Sequence, residues 1–248
     1  MKRRGKNTAG GEIVIAQFNP KNRTVSDERL SDIFAEVGWK YGFDQVKAEF
    51  ISIADFKIRW QRSYKWVEFK VSDYFDRAPE NVLYDLAENL FRRILGKESD
   101  LCETVVKYVT DDNFAKSNRQ DYFDRHPNYT QTVIGEFHDL NDSVNRLRDL
   151  GLIRPDTSSV LTWDDTDGRR AVKVAVLMRT VAINKGLDAA GVPETVLDYC
   201  VYRGISALET SVYPERDDDR FRYMLDRYPM KREAERWLDQ NGFSRMIF

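Results

Sequence analysis

Residues 193–209 read PETVLDYCVYRGISALE, and this stretch decides the fold. Its first residues, Pro193 and Glu194, are typical of a helix start, because the first turn does not need the missing amide and favours a negative charge. Apolar side chains then recur at helical spacing, which predicts a helix over 194–210 with a buried face. The residues expected on that face are Val196, Leu197, Cys200, Val201 and Leu208.

A glycine lies in the middle of the predicted helix. Gly204 costs about 1 kcal/mol relative to alanine in a helix interior, because glycine loses more backbone freedom on folding. Two interpretations of this glycine are open. Either helix stability is unimportant at this position, or another part of the chain approaches the helix backbone too closely for a side chain.

The stretch also resembles the active-site helix of the small zinc metallopeptidases in the SprT-like, WLM and YgjP-like group, whose layout is P-E-x-V-L-D-Y-V-V-x-H-E-L-x-H-L. Where that layout has His, Glu and His, this chain has Arg203, Gly204 and Ala207. Such an enzyme needs two imidazoles one helical turn apart to bind zinc, and a carboxylate to deprotonate the metal-bound water. The resemblance therefore implies an archaeal-type member of the group with a degenerate HExxH motif, no metal ligands, no cofactor and no catalytic residues.

The resemblance continues beyond this helix and covers residues 172–242 and, more weakly, residues 18–93. In the family a third metal ligand, an aromatic residue, a proline and a closing Trp-Leu helix follow in that order. The corresponding residues here are Asp217, Phe221, Pro229 and Trp237–Leu238. A guanidinium buried at a former metal site needs a compensating charge, so the family layout implies an ion pair between Arg203 and Asp217.

The resemblance implies an α+β fold in which a small twisted sheet packs on a gluzincin-like helix, the former HExxH helix. It also implies a pseudo-peptidase whose old substrate groove binds a protein or an extended peptide, with a regulatory role. An extended peptide would pair with a sheet edge within 172–183. The residues expected around the groove are Tyr202, Arg203, Glu209 and Asp217, and the same four are the candidates if the protein is instead a hydrolase with a non-standard active site.

Two segments before the decisive helix are typical of strands. Residues 160–163 and the alternating stretch 172–184 are rich in β-branched and other apolar residues. A turn-rich segment at 164–169 separates them. The pattern therefore predicts that the two segments pair as a hairpin.

An earlier part of the chain repeats this arrangement. Residues 69–91 are similar to residues 179–205, since both contain a strand, a short connection, Pro-Glu-x-Val-Leu and a helix. The residues that align with Arg203, Gly204 and Ala207 are Asn89, Leu90 and Arg93. The chain therefore contains either two related halves, both without metal ligands, or a common type of helix start used twice.

Four segments are predicted along the chain. A basic tail over 1–11 precedes an N-terminal β-α half over 12–96, a helical insertion follows over 97–158, and the metallopeptidase-like half covers 159–248. The N-terminal half is expected to contain a helix capped by Ser26. Its predicted strands lie at 12–18, 47–53, 56–60 and 65–71 and its second helix at 78–95, and the predicted helices of the insertion lie at 100–109, 112–123 and 140–150.

A basic and aromatic hairpin favours a second function class. Residues 56–70 read FKIRWQRSYKWVEFK, in which cations alternate with aromatic rings in a pattern that can follow phosphates and stack bases. The candidate nucleic-acid contacts are Lys57, Arg59, Arg62, Lys65 and Trp66. The favoured interpretation is a half-buried strand pair with an apolar inner face and solvent-exposed cations.

Composition narrows the function classes further. The 248 residues carry a formal net charge of -2, so the chain has no overall basic field for binding nucleic acid. No apolar run approaches the length of a membrane span, and the basic residues 1–6 lead into glycines where a signal peptide needs an apolar core. We therefore expect a cytoplasmic protein without a membrane partner, and we expect its two cysteines to be reduced.

Overall fold

The computed structural model describes residues 24–97, 100–213 and 215–245, and the strand predicted at 12–18 lies outside these ranges. The described chain has a mixed α and β fold, as the sequence predicts. Its strands form small separate sheets that lie against helices. None of the described helices is both long enough and apolar enough to cross a membrane.

The first half begins with helix α1 (Asp27–Lys40). Its predicted start is confirmed, since the Ser26 Oγ accepts a hydrogen bond of 3.1 Å from the Arg29 amide. The elements that follow are β1 (Gln45–Ile51), β2 (Ile58–Arg62), β3 (Trp66–Ser72), the 3₁₀ helix Asp73–Phe75 and α2 (Glu80–Ile94). β3 lies in the middle of the sheet, parallel to β1 and antiparallel to β2.

Two helices, α3 (Glu103–Thr110) and α4 (Asp112–Asp124), lead from this half to the second. The second half contains α5 (Leu140–Asp149), β4 (Val160–Asp164), β5 (Val172–Ala175), β6 (Thr180–Asn184), the 3₁₀ helix Lys185–Leu187 and α6 (Glu194–Thr210). β6 lies in the middle of its sheet, parallel to β4 and antiparallel to β5. The elements after α6 are β7 (Ser211–Val212), β8 (Glu215–Arg216), α7 (Asp218–Asp226) and α8 (Lys231–Gln240).

The two halves repeat one topology. Each contains a helix, three strands, a 3₁₀ helix and a second helix, and in each the third strand is in the middle of the sheet. Corresponding elements have nearly constant spacing, because α6 begins at Glu194, 114 residues after α2 at Glu80. The 3₁₀ helices begin 112 residues apart, at Asp73 and Lys185. A common type of helix start does not by itself produce the same strand order, so the interpretation of two related halves is favoured.

An arginine on the first helix of each half contacts the first turn of the last helix. Arg29 donates hydrogen bonds of 2.7 and 2.6 Å to Glu80. Arg146 lies 3.6 Å from Glu194 and also donates hydrogen bonds of 2.8 and 2.7 Å to Asp198. Because both glutamates directly follow the aligned prolines, the repeat extends from topology to side-chain contacts.

The prediction that residues 160–163 and residues 172–184 form a hairpin is wrong. β4 pairs in parallel with β6, with Val160 opposite Thr180, while the stretch 172–184 folds back on itself as β5 and β6. The turn between β5 and β6 contains no glycine or proline, and Arg179 instead adopts a φ of 48°. Because no glycine or proline marks this turn in the sequence, the apolar stretch 172–184 resembles one long strand.

The segment predicted as one helical insertion, 97–158, divides between two hydrophobic cores. α3 and α4 contribute Val105 and Phe114 to the first core. α5 contributes Leu140 and Leu147 to the second core, where it is the counterpart of α1. In the described chain, the connection between the repeated halves therefore contains α3, α4 and the segment that follows them.

Helix α6 is central to the second core. All five residues of its predicted buried face are at most 6% exposed, which confirms that face. Other sides of the helix are buried as well, and Tyr199, Tyr202 and Ala207 are fully covered. The helices α5, α7 and α8 and the strands β5 and β6 all pack against α6, which explains why its apolar pattern is wider than one amphipathic stripe.

The turn between β5 and β6 joins the two cores. Met178 is buried among the side chains of the first core, and Ala175 and Leu177 pack against the same cluster. The Nε atom of Arg119, on α4, donates a hydrogen bond of 2.9 Å to the Met178 carbonyl. The second sheet therefore contacts the first half through this turn, and a groove remains beside it.

Candidate functional site

Arg203 lies where the SprT-like group has the first histidine of its HExxH motif. In this protein its side chain forms hydrogen bonds and a ring contact with other residues. The Arg203 guanidinium donates to the Tyr199 hydroxyl at 3.2 Å and to the Arg245 carbonyl at 2.6 Å. It also lies 5.6 Å from the centre of the Phe221 ring. Tyr199 in turn donates to the Glu235 carboxylate of α8 at 2.5 Å. Arg203 is therefore connected to α8 by a chain of hydrogen bonds through a tyrosine, and Glu235 itself forms an ion pair of 3.0 Å with Arg245.

The predicted ion pair between Arg203 and Asp217 is wrong. Asp217 is exposed and caps α7, where its Oδ1 accepts a hydrogen bond of 2.9 Å from the Arg220 amide. The first turn of a helix has unpaired amides and a partial positive charge, and both favour a carboxylate at this position. The cap needs only residues that are close in sequence, whereas the ion pair required α6 and α7 to meet at two particular residues.

Gly204 lies where α6 packs directly on the second sheet. A Cβ atom at this position would lie 2.2 Å from Cγ1 of Val181 and 3.2 Å from Cγ1 of Val172. The first distance is far inside van der Waals contact, so no side chain fits there without displacing the strand. Of the two interpretations of this glycine, the close approach of another segment is the one that the packing supports.

Replacing Gly204 by alanine is expected to destabilise the fold by about 1 to 3 kcal/mol, because the collision outweighs the roughly 1 kcal/mol that alanine gains in helix propensity. The added methyl group meets Val181, which is itself completely buried. In a Val181→Ala background the same change is expected to cost far less, because the colliding methyl groups are gone. Urea unfolding of the wild type, both single variants and the double variant measures the coupling.

The control for this prediction is Gly191→Ala, since a Cβ atom at Gly191 meets no atom within 4 Å. This substitution should leave the free energy of unfolding within about 0.5 kcal/mol of the wild-type value. Equal effects of the two glycine substitutions would contradict the packing explanation. Strict additivity of Gly204→Ala with Val181→Ala would contradict it as well.

The four residues expected around a substrate groove or a non-standard active site do not converge. Tyr202 is fully buried, and its hydroxyl donates a hydrogen bond of 2.7 Å to the Met224 carbonyl. Glu209 accepts a hydrogen bond of 3.1 Å from the Thr157 hydroxyl. The other two residues are the arginine and the aspartate described above. All four side chains therefore have separate contacts, and they do not form one site.

The described residues contain no cluster of three or more His, Cys, Asp or Glu side chains that could hold a metal ion. Cys102 and Cys200 are free thiols. Burial raises the pKa of the Cys200 thiol to about 12, so this cysteine is protonated at neutral pH. The Cys200 side chain is therefore a packing group of α6 and a poor nucleophile.

A groove of about 540 Å³ lies between the two halves, and we name it the interface groove. One wall consists of residues 174–178, which are the end of β5 and its turn. Another part of the lining is the connection from α6 to α7, which includes Tyr213 and Glu215. The first half and α4 also contribute residues to the lining of the groove. Further lining residues are the aromatic residues Phe56, Tyr74 and Tyr122 and the charged residues Asp55, Arg216 and Asp218.

Sequence reasoning did not identify most residues of the interface groove. They come from five separate segments, and each has an ordinary local role; Phe56, for example, packs against Phe75 at a ring-centre distance of 4.8 Å. No periodicity or motif links these segments. The only sequence signal for this groove is the resemblance to the SprT-like group, which predicts a groove beside a sheet edge within 172–183. Val174 and Ala175 belong to that edge and line the groove.

The outer edge of β5 pairs with no other named strand in the described part of the chain. Just upstream of β5, this edge contacts a segment that follows α8. The Ala171 amide donates to the Ser244 carbonyl at 3.1 Å, and the Ser244 amide donates to the Arg169 carbonyl at 2.5 Å. These bonds form a parallel bridge between Ser244 and Arg170. This part of the sheet edge therefore accepts an extended segment through backbone hydrogen bonds.

The rim of the interface groove carries more negative than positive charge. Asp55, Glu215 and Asp218 contribute carboxylates to the lining, and Arg216 contributes a guanidinium. Arg216 lies 2.6 Å from Asp218, and Asp55 lies 2.5 Å from Lys57. The groove therefore combines apolar and aromatic walls with an acidic rim.

The basic hairpin does not present one positively charged face. Arg59 and Arg62 are three residues apart on β2, so their side chains point to opposite faces of the sheet. Lys57 and Lys65 each pair with an aspartate, at 2.5 and 2.8 Å. Opposite orientation and acidic partners leave no continuous positive track for a phosphate backbone.

The same hairpin forms the half-buried strand pair that the sequence favours only in part, because Ile58 is partly buried but Trp60 is 40% exposed, and the other residues of β2 are exposed as well. Ile58 lies opposite Val71 and Trp60 lies opposite Phe69, and both partners on β3 are completely buried. Trp66, the aromatic residue expected to stack on bases, is partly buried at the start of β3. The geometry of the hairpin therefore does not favour the nucleic-acid alternative.

A scan against protein-family models and searches of curated proteins and of solved structures found no match for this chain. These comparisons assign no family, and the resemblance to the SprT-like group stays a prediction. The interface groove and the residues on α6 are the features from which a function can be inferred.

Proposed function

We propose that this protein is a catalytically inactive, metallopeptidase-like protein that binds an extended segment of another protein in the interface groove. The observation that carries the proposal is a strand edge that ends at an apolar cavity and that pairs with no other named strand among the described residues. Val174 and Ala175 belong both to β5 and to the lining of the groove. An extended peptide gains backbone hydrogen bonds from such an edge, and the cavity beside it provides specificity for side chains.

The contact of the chain with its own sheet edge supports this proposal. Ser244 pairs in parallel with Arg170 through backbone groups. This contact is an example of an extended segment that lies beside the edge immediately upstream of β5. A partner peptide would lie along β5 itself and would reach the apolar residues at 174–178.

The size of the groove suits a few side chains rather than a folded domain. Ligand pockets commonly enclose about 300 to 1,000 Å³, and the interface groove has a volume of about 540 Å³. Its walls include Val174, Val176 and Leu177. Apolar side chains of a partner would leave water when they enter this space, and their burial would drive binding.

The residues at the former catalytic positions support binding rather than catalysis. Gly204 makes room for the sheet, Ala207 is fully buried, and Arg203 donates to Tyr199 and Arg245. These residues stabilise the packing of the gluzincin-like helix. Glycine, alanine and a hydrogen-bonded arginine supply no nucleophile, no general base and no metal ligand.

The proposal predicts that Tyr213→Ala weakens peptide binding. Tyr213 lines the groove and is partly buried, so its removal opens a wall and deletes an aromatic contact surface. We expect the dissociation constant of a bound peptide to rise by about tenfold or more. The peptide is first selected from a randomised library of short, fluorescently labelled peptides. Dissociation constants are then measured by fluorescence anisotropy.

Tyr223→Ala provides the comparison for this experiment. Tyr223 lies on α7, is 69% exposed and is not part of the groove. Its replacement should leave the dissociation constant unchanged within about twofold, and circular dichroism should show that both variants are folded. The proposal fails if no library peptide binds more tightly than about 1 mM. It also fails if the two tyrosine variants lose affinity equally.

A further inference from the structure

Aromatic rings and carboxylates meet in the interface groove. The rings are those of Phe56, Tyr74, Tyr122 and Tyr213, and the carboxylates are those of Asp55, Glu215 and Asp218. A cation is attracted both to the face of an aromatic ring and to a carboxylate. We propose that the groove selects extended segments that carry a lysine or arginine next to an apolar residue, an inference that rests on the peptide binding proposed above.

Aromatic rings at and near the groove already contact guanidinium groups within the protein. The Arg125 guanidinium lies 4.7 Å from the centre of the Tyr74 ring, and the Arg216 guanidinium lies 4.6 Å from the centre of the Phe221 ring. Burial raises the pKa of Tyr74 to about 12 and also raises the pKa of Tyr213, so both phenols are uncharged at neutral pH. The Tyr74 ring already holds Arg125, whereas the Tyr213 ring can attract a cation of the ligand and its hydroxyl oxygen can accept a hydrogen bond.

The carboxylates at the rim are accessible to an incoming cation. The Glu215 side chain is exposed and has no ion-pair or hydrogen-bond partner among the described residues. Asp55 and Asp218 have cationic neighbours, but their side chains remain 55% and 58% exposed. Exposed ion pairs are weak, because water solvates both partners and salt screens them. A basic side chain of a ligand therefore meets available negative charge.

The arrangement of apolar wall and acidic rim suits a long basic side chain. Lysine and arginine bury an apolar stem and keep the charged end near water. Val176 and Leu177 provide apolar contacts for the stem, and Glu215, which lines the same groove, provides a carboxylate for the charged end. An acidic segment would instead place a negative charge beside this rim and would be repelled.

Three peptides that differ at one position test the inference. The residue next to the apolar anchor of a selected peptide is changed to lysine, norleucine or glutamate. At about 50 mM salt the lysine peptide is expected to bind about tenfold more tightly than the glutamate peptide, with the norleucine peptide between them. At about 500 mM salt this difference is expected to fall to about threefold or less, because salt screens exposed charges.

A charge reversal at the rim tests where the selectivity arises. Glu215→Lys is expected to remove or invert the preference for the lysine peptide over the norleucine and glutamate peptides. Glu233→Lys on α8 is the corresponding control. Glu233 is also exposed but lies outside the groove, and its replacement changes the net charge by the same amount. This control variant should retain the preference for lysine.

The possible results separate charge selectivity from peptide binding. Equal affinity for all three peptides, or tighter binding of the glutamate peptide, overturns the charge selectivity and leaves peptide binding in place if Tyr213 is still required. An unchanged lysine preference in Glu215→Lys also overturns the inference, because the cation is then recognised elsewhere. If the wild-type protein binds none of the peptides, both the inference and the proposed function are wrong.

Discussion

Replacing Arg125 by methionine is expected to lower the free energy of unfolding by about 3 to 5 kcal/mol. Arg125 donates two hydrogen bonds of 2.8 Å to the Asp73 carboxylate, one to each oxygen, and another of 2.9 Å to the Ile53 carbonyl. The Asp73 side chain is 1% exposed, so the substitution removes the counter-ion of a buried carboxylate. Denaturant unfolding followed by circular dichroism measures the loss.

Arg29→Met tests whether burial is the cause of this effect. Arg29 also makes two hydrogen bonds to one carboxylate, that of Glu80, but these side chains are 42% and 51% exposed. Water solvates both groups when this pair is broken, so the expected loss is much smaller. The double variant Arg125→Met with Asp73→Leu should recover most of the stability, because no charge then remains buried. Comparable losses from the two arginine variants would contradict the explanation.

Truncating Leu197 to alanine is expected to cost about 2 to 5 kcal/mol. Leu197 is completely buried on α6, in the second core. The substitution removes apolar atoms from the core and leaves a cavity that the surrounding helices fill only in part. Its counterpart in the first half, Leu83 on α2, is also completely buried. We therefore expect Leu83→Ala to cost a similar amount in urea unfolding.

Leu150→Ala is the surface control for both leucine variants. Leu150 directly follows α5 and is 57% exposed, so its truncation should change the free energy of unfolding by less than about 0.5 kcal/mol. A loss below about 1 kcal/mol for Leu197→Ala would mean that this residue is not part of a closely packed core. A large loss at Leu197 with almost none at Leu83 would contradict equivalent roles in the two halves.

Much of the helical structure follows from local sequence signals. The Ser26 cap and the acidic first turn predict the start of α1, and the apolar spacing in 194–210 predicts α6 and its buried face. These signals act over short distances, because a cap bonds an amide in the first turn and an apolar stripe repeats with each turn. Gly204 also has a local signature, since a glycine in a helix interior is costly unless close packing requires it.

Only the tertiary structure decided which strands pair. The alternation in 172–184 predicts extended structure, but it contains no information that places β4 beside β6. A parallel pair requires a crossover connection, and such a connection can join many alternative partners. The environment of Arg203 was decided in the same way. Its hydrogen-bond partner Tyr199 bonds to Glu235 because α8 packs on α6, and no local pattern in the sequence indicates this contact.

The interface groove also depends entirely on tertiary contacts. Its walls come from both halves, and they meet because Met178 and its neighbours in the turn enter the first core. The sequence by itself determined that this turn is apolar and therefore tends to be buried. The sequence did not determine which core the turn packs against, because the hydrophobic effect has no direction and depends only on the apolar area removed from water. The packing of segments that are far apart in the chain determines that this turn enters the first core, and this contact forms the groove.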